Sequence, residues 1–193
     1  MTSDALWYLA RGSGVVSLLL FTVVVALGIA NRSGRPFAGM NRLAVASVHR
    51  SAALLALVFL VVHVVALVFD PYAQLDLIDL VLPFGSGYRP FWVGLGTLAL
   101  DLALAVAITS LLRERIGHRA WRAVHWLAYA MWPVALLHGI FSGSDRGTAW
   151  MLVIDVFCVV VVLAVAAGTH PVLNPAGARA KAPELVTSRR EQR

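Results

Sequence analysis

Five stretches of the chain are almost wholly apolar: residues 12–30, 45–69, 91–112, 121–141 and 149–168. Each is close to the ~20 residues an α-helix needs to cross a bilayer. The segments between them are NRSGRPFAGMNR, DPYAQLDLIDLVLPFGSGYR, RERIGHRA and SGSDRGT, rich in the glycine, proline and charge that break elements. Within the second, LDLIDLVL reads as a short amphipathic helix at the membrane interface. After Gly168 the tail has too little apolar content to fold alone, so residues 171–193 are expected to be disordered and 1–170 to form one membrane domain. The predicted fold is all-α, a polytopic bundle of five transmembrane helices.

Composition agrees. Of 193 residues, 60% are hydrophobic and 13% charged, and the mean hydropathy of +0.79 excludes an ordinary soluble domain. A net charge of +6 would point to nucleic acid in a soluble protein. Here the basic residues flank apolar runs, the pattern of membrane topology instead. The single cysteine, Cys158, lies in an apolar run, so neither a disulfide nor a cysteine-rich metal framework is available. Asp4 and Arg11 leave no clearly positive leader, and the first apolar run is read as a retained helix, with cleavage near Ala30 as the alternative.

Charge also sets the orientation. Lys and Arg number four in 31–50, four in 113–122 and five from Thr169 onward, against one each in the other three extramembrane stretches (Arg11, Arg89, Arg146). That asymmetry places the N-terminus outside and the C-terminus in the cytoplasm. The second and fourth helices then run parallel.

Those two helices carry histidines. His49 and His63 are fourteen residues apart, a step that rises ~21 Å and returns the side chain to within ~40° of its starting direction. His125 and His138 are thirteen apart. By topology His49 and His125 lie near the inner face, and His63 and His138 near the outer one. A lone intramembrane histidine more often bonds a neighbouring helix. Four at two matched depths mark a function, because polar groups in lipid are costly. Neutral imidazole is a good axial ligand for haem iron, whereas zinc needs four ligands on one ion. A thirteen-residue step leaves His138 ~140° from the direction of His125 on an ideal helix, and Pro133 between them is the expected site of a compensating kink. His118, seven before His125, is read as interfacial, and His170 has no assigned role.

The two histidine spacings, the stretch IGHRAWRAVHWLAYAMWPVALLH, the opening ARGSG and the five-span layout resemble the ferric-reductase-like transmembrane domain over residues 5 to 170. That family includes NADPH oxidases, ferric reductases and bacterial haem-binding membrane subunits. The resemblance implies two b-type haems, the inner held by His49 and His125 and the outer by His63 and His138. It also implies that the thirteen-residue spacing is workable. In the oxidase branch an aromatic residue between the haems lies six after the first ligand of this helix. Here that position is Met131, with Trp132 beside it, and these two are the candidates for an inter-haem bridge. No flavin- or nicotinamide-binding domain follows, so the expected electron donor is a separate flavin reductase or a membrane quinol.

Haem propionates need cationic partners. Arg50, Arg119 and Arg122 are placed for the inner haem, and Arg11, Arg89 and Arg146 for the outer, with plain topology signalling as the competing role. Asp101 and Asp155, inside the third and fifth spans, are read as helix-to-helix hydrogen-bonding groups rather than a proton path. Gly12, Gly14, Gly94, Gly96 and Gly139 can admit a flat macrocycle or simply serve helix packing. The expectation is a di-haem cytochrome b in the lipid bilayer of a bacterial inner membrane, carrying electrons from a cytoplasmic donor to an outer acceptor, with no nucleic acid involved. The alternatives are a quinol-linked anchor of a larger redox complex and a haem-free transporter or scaffold.

Overall fold

The computed structural model describes residues 2–33, 39–73, 75–143 and 145–169. Their regular structure is helical throughout: α1 (Thr2–Ser33), α2 (Arg42–Val68), a 3-10 turn (Leu77–Leu80), α3 (Pro90–Leu111), α4 (Arg113–Ile116), α5 (His118–His125), α6 (Ala128–Ser142) and α7 (Ala149–Thr169). Five helical units are long and apolar enough to cross a membrane, α5 and α6 together forming the fourth. The expected tail, 171–193, lies outside the described residues.

Local chemistry sets the helix ends. Asn41 caps α2 by accepting a hydrogen bond from the Ala44 N–H (2.8 Å). Pro90 opens α3 at a position where a missing N–H costs nothing. Gly117, at φ +80°, separates α4 from α5, because that backbone region is open to glycine. So the stretch RERIGHRA, expected to be a loop, is mostly helical, and His118 begins α5. Helix α1 starts ten residues before its apolar run. Asp4 in its first turn suits the helix dipole, and Arg11 is ion-paired with Asp145 between α6 and α7 while stacking 4.0 Å over Trp7.

Helix α1 is the axle of the bundle: 56% of its apolar window is buried, against 22% or less in every other span. It packs on α2, α6 and α7, and α3 packs on α6. The core at mid-depth joins Leu18, Phe21 and Val25 of α1, Ala56 of α2, Ala99 and Ala103 of α3, Met131, Trp132 and Leu136 of α6, and Cys158 of α7. The alanines let helix backbones approach closely, which supplies packing where lipid removes the hydrophobic drive. Leu54, Leu55, Val58 and Val61 of α2 point outward, as lipid-facing residues do.

The two ends of the bundle differ. Residues 69–73 and 75–89 fold over one end, which is called the capped end below. There Asp76 and Asp79 form a capping box around the 3-10 turn, Thr97 of α3 donates to the Asp79 carbonyl (2.7 Å), and Phe84 lies against Gly94. The 3-10 turn occupies the segment expected to be an amphipathic helix. At the opposite, arginine-rich end, Arg42, Arg50, Arg113, Arg115, Arg119 and Arg122 are all exposed.

Candidate functional site

Helix α2 runs unbroken between His49 and His63, so the fourteen-residue step keeps both rings on the side facing α1. The His63 Nδ1–H donates to the Ala10 carbonyl (2.6 Å), and the His49 Nδ1–H to the Val24 carbonyl (3.0 Å). These two acceptors are themselves fourteen residues apart. So are the glycines one turn beyond each: Gly14 against His63 and Gly28 against His49. A Cβ at Gly14 would stand 2.8 Å from the His63 ring, and one at Gly28 3.6 Å from that of His49.

The same device recurs on α3. The His138 Nδ1–H is shared between the Trp92 carbonyl (2.8 Å) and the Ser142 hydroxyl oxygen (3.1 Å). Gly96, four residues after Trp92, faces the ring so closely that a Cβ would lie 2.5 Å away. In each case the carbonyl's helix donor is the glycine's own N–H, and its second lone pair takes the ring N–H. At Gly14 and Gly96 the missing side chain lets the imidazole reach it, whereas at Gly28 a Cβ would make ordinary contact.

His125 is different. It is the last residue of α5, and its Nδ1 is buried with no hydrogen-bond partner among the described residues. Its ring stacks on Trp121 (centroids 4.9 Å apart, 30° between planes) and lies 6.3 Å from the ring of His49. His63 and His138 lie within electrostatic range of each other. The structure therefore brings the histidines together as two pairs, His49 with His125 and His63 with His138.

Helix α6 continues through Pro133, and the break in the fourth span falls elsewhere. It lies at Trp126–Leu127, between α5 and α6. There the Leu127, Tyr129 and Ala130 N–H groups bond to carbonyls three residues back (Val124, Trp126 and Leu127). A 3-10 stretch turns ~20° more per residue than an α-helix, so the joint adds rotation in the direction the thirteen-residue step requires and recovers part of the deficit.

A ring whose Nδ1 donates to a carbonyl keeps its Nε2 lone pair for a metal, and a hydrogen-bonded second nitrogen is what ligating histidines have. Three of the four are held in that form. Two imidazole–metal bonds of ~2 Å laid end to end leave ring centroids ~6 Å apart, the spacing seen between His49 and His125. No group of three or more histidine, cysteine or carboxylate side chains converges among the described residues. Two imidazoles per level suit a metal that arrives with its own in-plane ligands, as haem iron does, and do not complete a protein-only tetrahedral site.

The other predicted residues fall as follows. Met131 and Trp132 are buried at mid-depth, and the Trp132 indole donates to the Thr22 hydroxyl (2.9 Å), which donates to the Leu18 carbonyl (2.8 Å). Arg50 is exposed beside His49. Arg122 donates to Nδ1 of His118 (2.9 Å), an exposed ring apart from both pairs. Arg11 is taken by Asp145, and Arg89 donates to the Phe141 carbonyl (2.9 Å). Asp155 is buried with Oδ1 unpartnered among the described residues, and Asp101 is half-buried on α3. Of the glycines, Gly12 faces open space and Gly139 makes ordinary contacts with Leu18 and Met151. His170 lies outside the described residues. Gly28 is the residue that sequence reasoning missed. Its signal was the fourteen-residue step from Gly14, a copy of the histidine step on α2.

A sequence profile described as ferric reductase like transmembrane component matches residues 13–136, well over half of the chain. The matched span contains His49, His63 and His125 and stops two residues short of His138. No curated protein and no solved structure matches the chain.

Proposed function

The chain belongs to the ferric-reductase-like transmembrane component family, and from that premise we propose that it is a di-haem b-type cytochrome that moves electrons across the bilayer. As an integral membrane protein of this family it is a component of a membrane oxidoreductase. The observation that carries the finer reading is the pairing of four histidines at two levels, three of them with Nδ1–H committed to a backbone carbonyl. Haem b, when bound, supplies one-electron chemistry at each level.

The chain's own residues do the rest. His49 and His125 grip one haem, and His63 and His138 the other. Gly14 and Gly96 admit the rings of His63 and His138 to their acceptors. Met131 and Trp132, packed between the levels, shorten the apolar gap an electron must cross. Arg50 and Arg122, exposed at the arginine-rich end, are placed to meet propionates. Arg11 and Arg89 are less available, since each already has a protein partner.

The arginine-rich end is the cytoplasmic one by the charge rule, so the donor, a separate flavin reductase or a quinol, approaches there. At the capped end an open pocket of about 420 Å³ is lined by Arg89, Pro90, Phe91, Trp92 and Arg146. Trp92 is also the residue whose carbonyl holds His138. An external acceptor meets the chain at this end, opposite the donor.

A reduced-minus-oxidised spectrum with haem quantification tests the reading on the wild type and on each of the four His→Ala variants. Two haems per chain are expected. His49→Ala and His125→Ala should remove one and the same haem, and His63→Ala and His138→Ala the other. A protein that stays colourless with ample haem supply overturns the proposal.

A further inference from the structure

The two levels are not held alike, and the difference falls on one ligand. Accepting the di-haem reading, we infer that His125 is an exchangeable axial ligand: the His49/His125 level opens to a small exogenous ligand of haem iron, and the His63/His138 level stays closed.

Four observations carry this. First, His49, His63 and His138 each donate Nδ1–H to a carbonyl, whereas Nδ1 of His125 has no partner among the described residues. A hydrogen bond at the second ring nitrogen orients a ligating imidazole and raises its basicity, and losing it weakens metal binding ~10–100-fold.

Second, α3 cannot repeat for His125 what it does for His138. One level along, thirteen and fourteen residues after Trp92, stand the carbonyls of Ala105 and Val106. The Thr109 hydroxyl already donates to Ala105 (2.7 Å), and that of Ser110 to Val106 (2.6 Å). Where the cradle at 92/96 has glycine, this level has Thr109 and Ser110.

Third, His125 closes an eight-residue helix with no buried residue, which packs on α3 and α4. The 3-10 turn at Trp126–Leu127 follows at once, where the helix changes type between α5 and α6. The ring thus sits at the end of a short, exposed helix rather than inside a long buried one. Fourth, what stacks on it is Trp121, whose own indole N–H reaches only the exposed Ser110 hydroxyl (3.3 Å). His138, by contrast, sits inside the continuous α6, hemmed by α3 and Gly96.

Carbon monoxide is the probe, because it binds ferrous haem only where an axial position opens. The dithionite-reduced, haem-loaded protein is titrated with it and followed in the Soret band. One carbon monoxide per two haems is expected, and the same amount per chain in His138→Ala, which keeps only the His49/His125 haem. Wild-type protein that holds two haems and binds none, or that binds at both levels alike, overturns the inference while the di-haem reading stands. A colourless protein overturns both. An independent measurement needs no haem at all: in protein carrying ¹⁵N-labelled histidine, three rings should show one fixed Nδ1–H tautomer and the ring lost in His125→Ala should average between two. A single fixed tautomer for the His125 ring counts against the inference.

Discussion

The capped end and the arginine-rich end of the bundle use the same helices to hold the same pair of side chains, yet only one holds both. At the capped end His63 and His138 each rest on a carbonyl with a glycine one turn beyond, and the Arg11–Asp145 pair ties α1 to the α6–α7 connection. At the arginine-rich end His49 has such a seat and His125 has none. The reason is arithmetic. Fourteen residues nearly complete four turns, so α1 and α2, antiparallel neighbours, meet in the same register at both levels. Thirteen residues do not, so the fourth span must rewind between its histidines, and the cradle on α3 serves one level only.

The sharpest way to break this comparison is to add a methyl group. Gly96→Ala puts a Cβ 2.5 Å from the His138 ring, and Gly14→Ala one 2.8 Å from His63. Overpacking of that kind costs ~1–3 kcal/mol, and both variants should lose the capped-end haem, read as half the wild-type haem content and a lowered melting temperature in detergent. Gly28→Ala, whose Cβ would sit at an ordinary 3.6 Å from His49, should keep both haems and melt within ~0.5 kcal/mol of wild type. Equal losses in all three would remove the distinction between the ends.

A change at mid-depth should touch both levels alike. Trp132→Phe keeps a six-membered aromatic ring but deletes the pyrrole half of the indole with the N–H that Thr22 accepts in the core, at a cost of ~1 kcal/mol for the hydrogen bond plus that of the gap left behind. Thermal melts should show that loss while both haems are retained. A loss confined to one level would place Trp132 at that level rather than between the two.

Arg11→Gln breaks the ion pair with Asp145 and the stacking on Trp7, both at the capped end. A partly exposed pair contributes ~0.2–1 kcal/mol, so the melting temperature should drop slightly and the gap to wild type should shrink in high salt. A salt-independent gap would mean that Arg11 acts by packing.

Much of this was readable from residue types, and the remainder was not, for identifiable reasons. Five apolar runs announce five spans because lipid demands length and hydrophobicity together. The histidine steps and the loop charges announce two levels. The seats of the histidines stay hidden because their acceptors are backbone carbonyls of Ala10, Val24 and Trp92, residues with no polar signature. Asp145, which pairs with Arg11 in the early turns of α1, is more than a hundred positions away. Arg11 likewise reads as a free cation until the fold supplies that partner. The helix break falls at Trp126–Leu127, which carries no glycine, proline or turn former, while the one visible breaker stands at Pro133.

Pro133 therefore gives the smallest effect and the cleanest check on where the rewinding resides. Proline inside a helix lacks the N–H that would bond the carbonyl four residues back, here that of Tyr129. In a membrane span such a gap is tolerated because neighbouring groups re-satisfy the backbone. If the i→i+3 bonds around Trp126–Leu127 carry the extra rotation, Pro133→Ala restores one helix bond without turning His138 away from Trp92 and Gly96. Both haems should stay, with unchanged Soret positions and electron paramagnetic resonance g-values, and the melting temperature should hold or rise slightly. Were the capped-end signal to shift in this variant while the arginine-rich end held still, the proline rather than the turn would be setting the direction of His138, and the unequal grip at the two ends would need a different mechanical cause.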